Sequence, residues 1–158
     1  MRLSILAFSA CAFALSANAG VLEDKADRFT GSRTVQWLSV PSEEGKFSLS
    51  ASAYYLKGSS RPDGYTLRLV TWSARGRYTD CHHSNWLVDG VAAPNMDFGY
   101  TSSAAGSATM ESFSLRTQRD TLERLSAAKV LEFQVCGTEG VVSAEDLSGM
   151  RKVLDGTR

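Results

Sequence analysis

The chain has 158 residues, 17 basic and 17 acidic side chains, and is 43% hydrophobic. Such a balance lacks the basic excess with which nucleic-acid-binding domains neutralise phosphates. The length suits one domain with a core of its own.

The first element is a targeting signal. In MRLSILAFSACAFALSANAG, Arg2 is a short positive n-region, residues 3–15 are apolar all the way round, and Ala17-Asn18-Ala19 is a small-x-small cleavage site. The pattern predicts a secretory signal peptide over residues 1–19, too short to anchor the chain across a bilayer. A weaker lipoprotein-like box, Phe8-Ser9-Ala10-Cys11, competes, but cleavage before Cys11 leaves too short an apolar stretch. The expected product is one periplasmic or secreted domain, residues 20–158. Its 16 basic residues (17 less Arg2) against 17 acidic give a net charge of −1. No later stretch is apolar enough for a membrane helix, so no membrane insertion is expected.

A period of two then dominates. Residues 34–40 (TVQWLSV), 47–55 (FSLSASAYY) and 65–72 (YTLRLVTW) read as strands, being alternating and rich in β-branched and aromatic residues. Between the last two, GSSRPDG (58–64) turns the chain, because proline presets φ and Asp-Gly accepts positive φ. Shorter strands are expected at 85–88 and 98–102, with a tight hairpin turn at Asp89-Gly90. Residues 102–108 (SSAAGSA) read as a flexible small-residue loop, and 110–115 (MESFSL) as a further strand.

The period changes after that. RDTLERLSAA (119–128) sets Leu122 and Leu125 on one face of a short amphipathic helix. VLEFQVC (130–136) alternates again, with Leu131, Phe133 and Val135 inward. Ser143, followed by Glu145 and Asp146, is a helix N-cap with acid in the first turn, and Leu147, Met150 and Leu154 share one face of the helix that follows. The expected class is α+β: an antiparallel sheet of about five to seven strands, then a strand–helix–strand–helix C-terminal part, in a single domain.

Chemistry concentrates in YTDCHHSNW (78–86), which holds both histidines. After signal cleavage two cysteines remain, Cys81 and Cys136. An even count in an exported chain predicts one disulfide between them. The alternatives are a metal site and a Cys–His nucleophile pair. In extended chain His82 and His83 point to opposite faces, so one ion cannot easily take both, and they lack the i, i+4 spacing of a helical zinc site. No metal site, cofactor or catalytic residue is therefore assigned. There is no Gly-x-Ser-x-Gly elbow and no His-Glu-x-x-His. His82 or His83 remains the one candidate base for a hydrolase.

The aromatics give candidate binding residues: Tyr54, Trp72 and Trp86, beside His82 and His83. Val70, Trp72 and Tyr54 lie on the face opposite Leu67 and Leu69. The expectation is that the C-terminal helices cover part of that face and make these residues core; the alternative is an exposed patch for a glycan or a protein. The functional expectation is a small, non-catalytic binding protein acting on another protein as an inhibitor or immunity-type factor. A hydrolase using His82 or His83 and a glycan-binding module using Tyr54 and Trp72 are the alternatives.

Overall fold

Alternation along the strands is what sorts this chain into layers. The computed structural model describes residues 20–93 and 96–158, so the signal peptide, the Cys11 box and Pro94 lie outside the described residues. The strands are β1 (Val21–Ala26), β2 (Arg33–Leu38), β3 (Ser48–Tyr55), β4 (Gly64–Ser73), β5 (Ser84–Val88), β6 (Val91–Ala92), β7 (Gly99–Ala105), β8 (Ala108–Thr117), β9 (Leu131–Val135) and β10 (Thr138–Val141). The helices are α1 (Arg119–Ala127) and α2 (Ala144–Asp155). Six strands form one antiparallel sheet in the order β1-β2-β3-β4-β8-β7, and four form a second in the order β10-β9-β5-β6. The class is α+β, as expected, although the strands divide between two sheets rather than one.

The inner face of the first sheet is the core. Trp37, Ala51, Leu67 and Leu115 stand in one cross-strand row, and Leu49, Leu69 and Phe113 in the next. All seven are buried. Helix α2 lies on this face through Leu147, Met150, Val153 and Leu154, and α1 packs against α2 through Leu122 and Leu125. A side chain at Gly149 would collide with the Trp37 indole, so glycine is what lets the helix approach. The second sheet closes the other end with Leu131, Phe133 and Val135. Aromatic rings fill the junction: Phe133 stands edge-on to Phe47 at 5.2 Å, and Trp86 stacks on Phe98 at 4.9 Å.

Polar clamps hold α2 in place. Ser143 Oγ accepts from the Asp146 N–H at 3.0 Å, as the N-cap signal foresees. The buried Asp146 carboxylate then accepts from Trp37 Nε1 at 3.0 Å and from the Leu49 N–H at 3.1 Å. At the other end Arg119 donates to the Leu154 carbonyl and to the Tyr65 hydroxyl, both at 3.1 Å, satisfying a helix C-terminus.

The expected turn at Asp89-Gly90 is present, with φ of 51° and 79°, the pair of positive values that a type I′ hairpin needs. The reading of 102–108 needs correction. These residues are not a flexible loop: they form the far end of β7, the turn and the start of β8, an arm of the first sheet.

A second correction concerns the face bearing Tyr54, Val70 and Trp72. The helices lie on the Leu67 and Leu69 side, so they do not cover it. Part of it is covered instead by residues 39–45, which fold back from the end of β2. Ser48 Oγ and Ser50 Oγ donate to the Ser39 carbonyl, and Trp72 Nε1 donates to the Pro41 carbonyl at 3.2 Å. Val70 is buried beneath this return and Trp72 is half-buried. Trp72→Ala is therefore expected to lower the unfolding free energy by about 2 kcal/mol, against about 3 kcal/mol for the core substitution Leu69→Ala. Denaturant unfolding of the two variants side by side checks the order.

Candidate functional site

In the segment 78–86, residues 78–83 are a loop that leads into β5. The disulfide is formed: Cys81 and Cys136 are joined, with Cα atoms 6.1 Å apart. Cys136 occupies the turn between β9 and β10 at φ 55°, a conformation that few non-glycine residues adopt. The Cys136 N–H donates to the His83 carbonyl at 3.1 Å, so backbone and sulfur bridge the same two segments.

The two histidines part. His82 stacks on Tyr100, with centroids 4.1 Å apart and planes 12° from parallel. Its Nε2 donates to the Thr79 carbonyl at 2.9 Å, which fixes the proton on that nitrogen. His83 is exposed, with Nδ1 3.3 Å from Cys81 Sγ. Cys81, His83 and Cys136 bring three ligand atoms within 4.8 Å of one another. With both sulfurs in the disulfide, neither is a thiolate, the form in which cysteine binds a metal or attacks a carbon.

Beneath this loop lies a residue that belongs to no sequence motif. Glu111 on β8 is fully buried, and its carboxylate accepts from the Arg77 N–H at 2.9 Å, the Tyr78 N–H at 2.8 Å and the Tyr100 hydroxyl at 2.8 Å. Burial, and then this hydrogen bond to Glu111, hold the Tyr100 phenol above the usual tyrosine range. The acid thus pins the 74–83 loop to the sheet. A signal was present: in MESFSL, Glu111 is in phase with Phe113 and Leu115, which are core positions.

The remaining candidates scatter. Trp86 is buried, stacked on Phe98, with its indole N–H on Ser84 Oγ, and belongs to the core. Tyr54 is exposed at one end of the outer face, paired in register with Gly64. Trp72 lies eight residues further along β4, about 26 Å away at the rise of an extended strand. They do not form one stacking platform. The spacing Ser-x-x-Lys also occurs, at Ser126 to Lys129. Ser126 Oγ donates to the Glu123 carbonyl at 3.0 Å, and the helix has already ended at Ala128 with ψ 142°, so the pair is not set on one helical turn.

Between Tyr54 and the 39–45 return the outer face is polar and partly exposed. Gln36, Ser52, Thr66 and Arg116 form one cross-strand row, and Ser50, Arg68 and Ser114 the next. Two shallow grooves run over it, both bordered by Ser52 and Thr66, one reaching Arg116 and the other Arg68, Leu38 and Val40. Arg68 and Arg116 are exposed diagonal neighbours, and neither has an ion-pair partner among the described residues.

Comparison with protein-family models, curated proteins and solved structures finds no match for this chain. No helix of the described residues is long and apolar enough to cross a membrane.

Proposed function

We propose that this chain is an exported, non-catalytic binding protein that engages another protein through the outer face of the first sheet, as an inhibitor or immunity-type factor does. The observation that carries the reading is the pair of guanidiniums, Arg68 and Arg116, without an ion-pair partner among the described residues and set among short hydroxyl side chains on a face that neither described helix covers. A rigid sheet presents these groups at fixed spacing, so little side-chain order is lost beyond the two arginines themselves. The complementary partner is a protein surface with carboxylates at matching spacing, since guanidinium pairs with carboxylate through two parallel hydrogen bonds. Leu38, Val40 and Tyr54, exposed around the arginines, supply the apolar contact that such interfaces add. The Cys81–Cys136 disulfide supports the exported part of the reading, because such a bond persists where the surroundings are oxidising.

The test compares the exported wild-type domain with the double variant Arg68→Glu, Arg116→Glu as bait in extract from its native compartment. The variant is expected to melt like the wild type, because both side chains are exposed, and to lose at least about tenfold in affinity for the partner that the wild type retains. Wild-type binding should also weaken with added salt. Unchanged affinity in the double variant removes the outer face from the interface.

A further inference from the structure

The two edges of the first sheet are built differently. Strand β1 carries Glu23, Asp24 and Lys25 in succession, the charged edge that discourages strand addition. Strand β7, GYTSSAA, carries no charge, and every residue from Thr101 to Ala105 is exposed.

Its free hydrogen-bonding groups can be assigned. Ala105 pairs with Ala108 across a two-residue turn, and Gly106, the first turn residue, has φ 64°, as a type II′ hairpin requires. The closing pair of such a hairpin exchanges both hydrogen bonds, and bonded and non-bonded pairs alternate from there. Ala105, Ser103 and Thr101 therefore bond inward to β8. Ala104, Ser102 and Tyr100 turn their N–H and C=O groups outward, to the edge that no strand of the described residues pairs.

We propose that β7 pairs with β7 of a second copy of this chain, antiparallel about a two-fold axis at Ser102. In that register Ser102 faces Ser102 of the second copy, and Tyr100 faces Ala104 in both directions. Each of these pairs is a hydrogen-bonded one, so all the outward groups find partners. Thr101 faces Ser103, and Gly99 faces Ala105. The one large side chain of the strand meets one of its smallest, and like charges never meet because there are none. Tyr100 is already held in place by His82 stacked on it and by its hydrogen bond to Glu111, so the wall that the Ala104 methyl approaches is formed in advance. A copy of the same chain fits this edge through its own symmetry, the isologous contact of a C2 dimer. The joined sheet would run continuously through both copies. One strand pair is a small interface, in the size range of transient association, so the dimer depends on concentration.

Sedimentation velocity over a concentration series tests this. The wild-type exported domain is expected to pass from monomer to dimer. Ser102→Pro removes one outward N–H without touching the bonds to β8, a position where an edge strand tolerates proline. That variant should stay monomeric with an unchanged melting curve. Cysteine substitutions give a readout that does not depend on proline being accommodated. Across a hydrogen-bonded pair the Cα atoms lie at a separation that a disulfide spans, so Ser102→Cys should form a covalent dimer at least about tenfold faster than Ser103→Cys, whose symmetry mate is out of reach. A wild type monomeric at every concentration overturns the proposal. So does a dimer that survives in Ser102→Pro, or equal cross-linking of the two cysteine variants.

Discussion

Glu111→Ala is expected to lower the unfolding free energy by about 4 kcal/mol, more than any other single polar substitution in the domain. The carboxylate is fully buried and accepts two backbone N–H groups and one phenol. Alanine leaves the Arg77 and Tyr78 amides and the Tyr100 hydroxyl without an acceptor, and a buried donor left unpaired costs about 1–3 kcal/mol. Glu111→Gln should cost about half as much, since one oxygen remains but the amide donors then confront an N–H. Denaturant unfolding followed by tryptophan fluorescence measures both. Tyrosine titration gives a second reading: in Glu111→Ala the Tyr100 phenol should ionise at lower pH than in the wild type. The sign for stability follows from the raised folded value. The fold favours the neutral phenol, so that contribution is complete below the ordinary tyrosine range and is lost as pH rises through the folded value. A loss of under about 1 kcal/mol in the alanine variant contradicts the clamp.

Removing the disulfide should have a comparable effect through the unfolded chain. Cys81 and Cys136 are 55 residues apart, and closing a loop of that length is worth about 4 kcal/mol in the chain-entropy model. For a domain of this size that corresponds to a fall in Tm of roughly 12 °C. The double substitution Cys81→Ser, Cys136→Ser, or the wild type treated with a dithiol reductant, should show it by calorimetry. The two treatments should agree, because the contribution belongs to the bond and not to the sulfur atoms. The His82–Tyr100 stack should loosen as well, since the disulfide holds one end of the loop that carries His82. A Tm lowered by less than about 4 °C contradicts a structural role for the bond.

The half-buried strands were legible because one face is apolar and the other is not. Residues 34–40, 47–55 and 65–72 locate β2, β3 and β4 closely, and Ser143 marks the start of α2. Strand β1 was not legible. VLEDKA has no alternation to detect, since neither of its faces is fully buried and its order comes from pairing with β2. Strand β10 fails to signal for a related reason: Gly140 lies beneath the Phe133 ring, where any side chain would collide, and so contributes no apolar residue to the pattern. SSAAGSA resembles a loop because its residues are small, yet small residues are what an exposed arm of a sheet can carry at no packing cost. The disulfide followed from the cysteine count together with the signal peptide expected at residues 1–19. Which face the helices cover did not follow, because alternation marks two faces without saying which of two partly apolar ones is inside. Val70 and Trp72 misled for that reason: the 39–45 return covers them, and no local pattern announces it.

The proposed binding through the outer face is tested most directly by arginine-selective dicarbonyl labelling of the domain of residues 20–158, alone and in complex with a protein that it retains from extract. Arg68 and Arg116 are exposed in the free domain, and should react there as readily as Arg75 and Arg124, which are also exposed but lie off that face. In the complex Arg68 and Arg116 should lose most of their reactivity while Arg75 and Arg124 keep theirs. Equal labelling of all four in a complex that remains intact would contradict the assignment of the outer face.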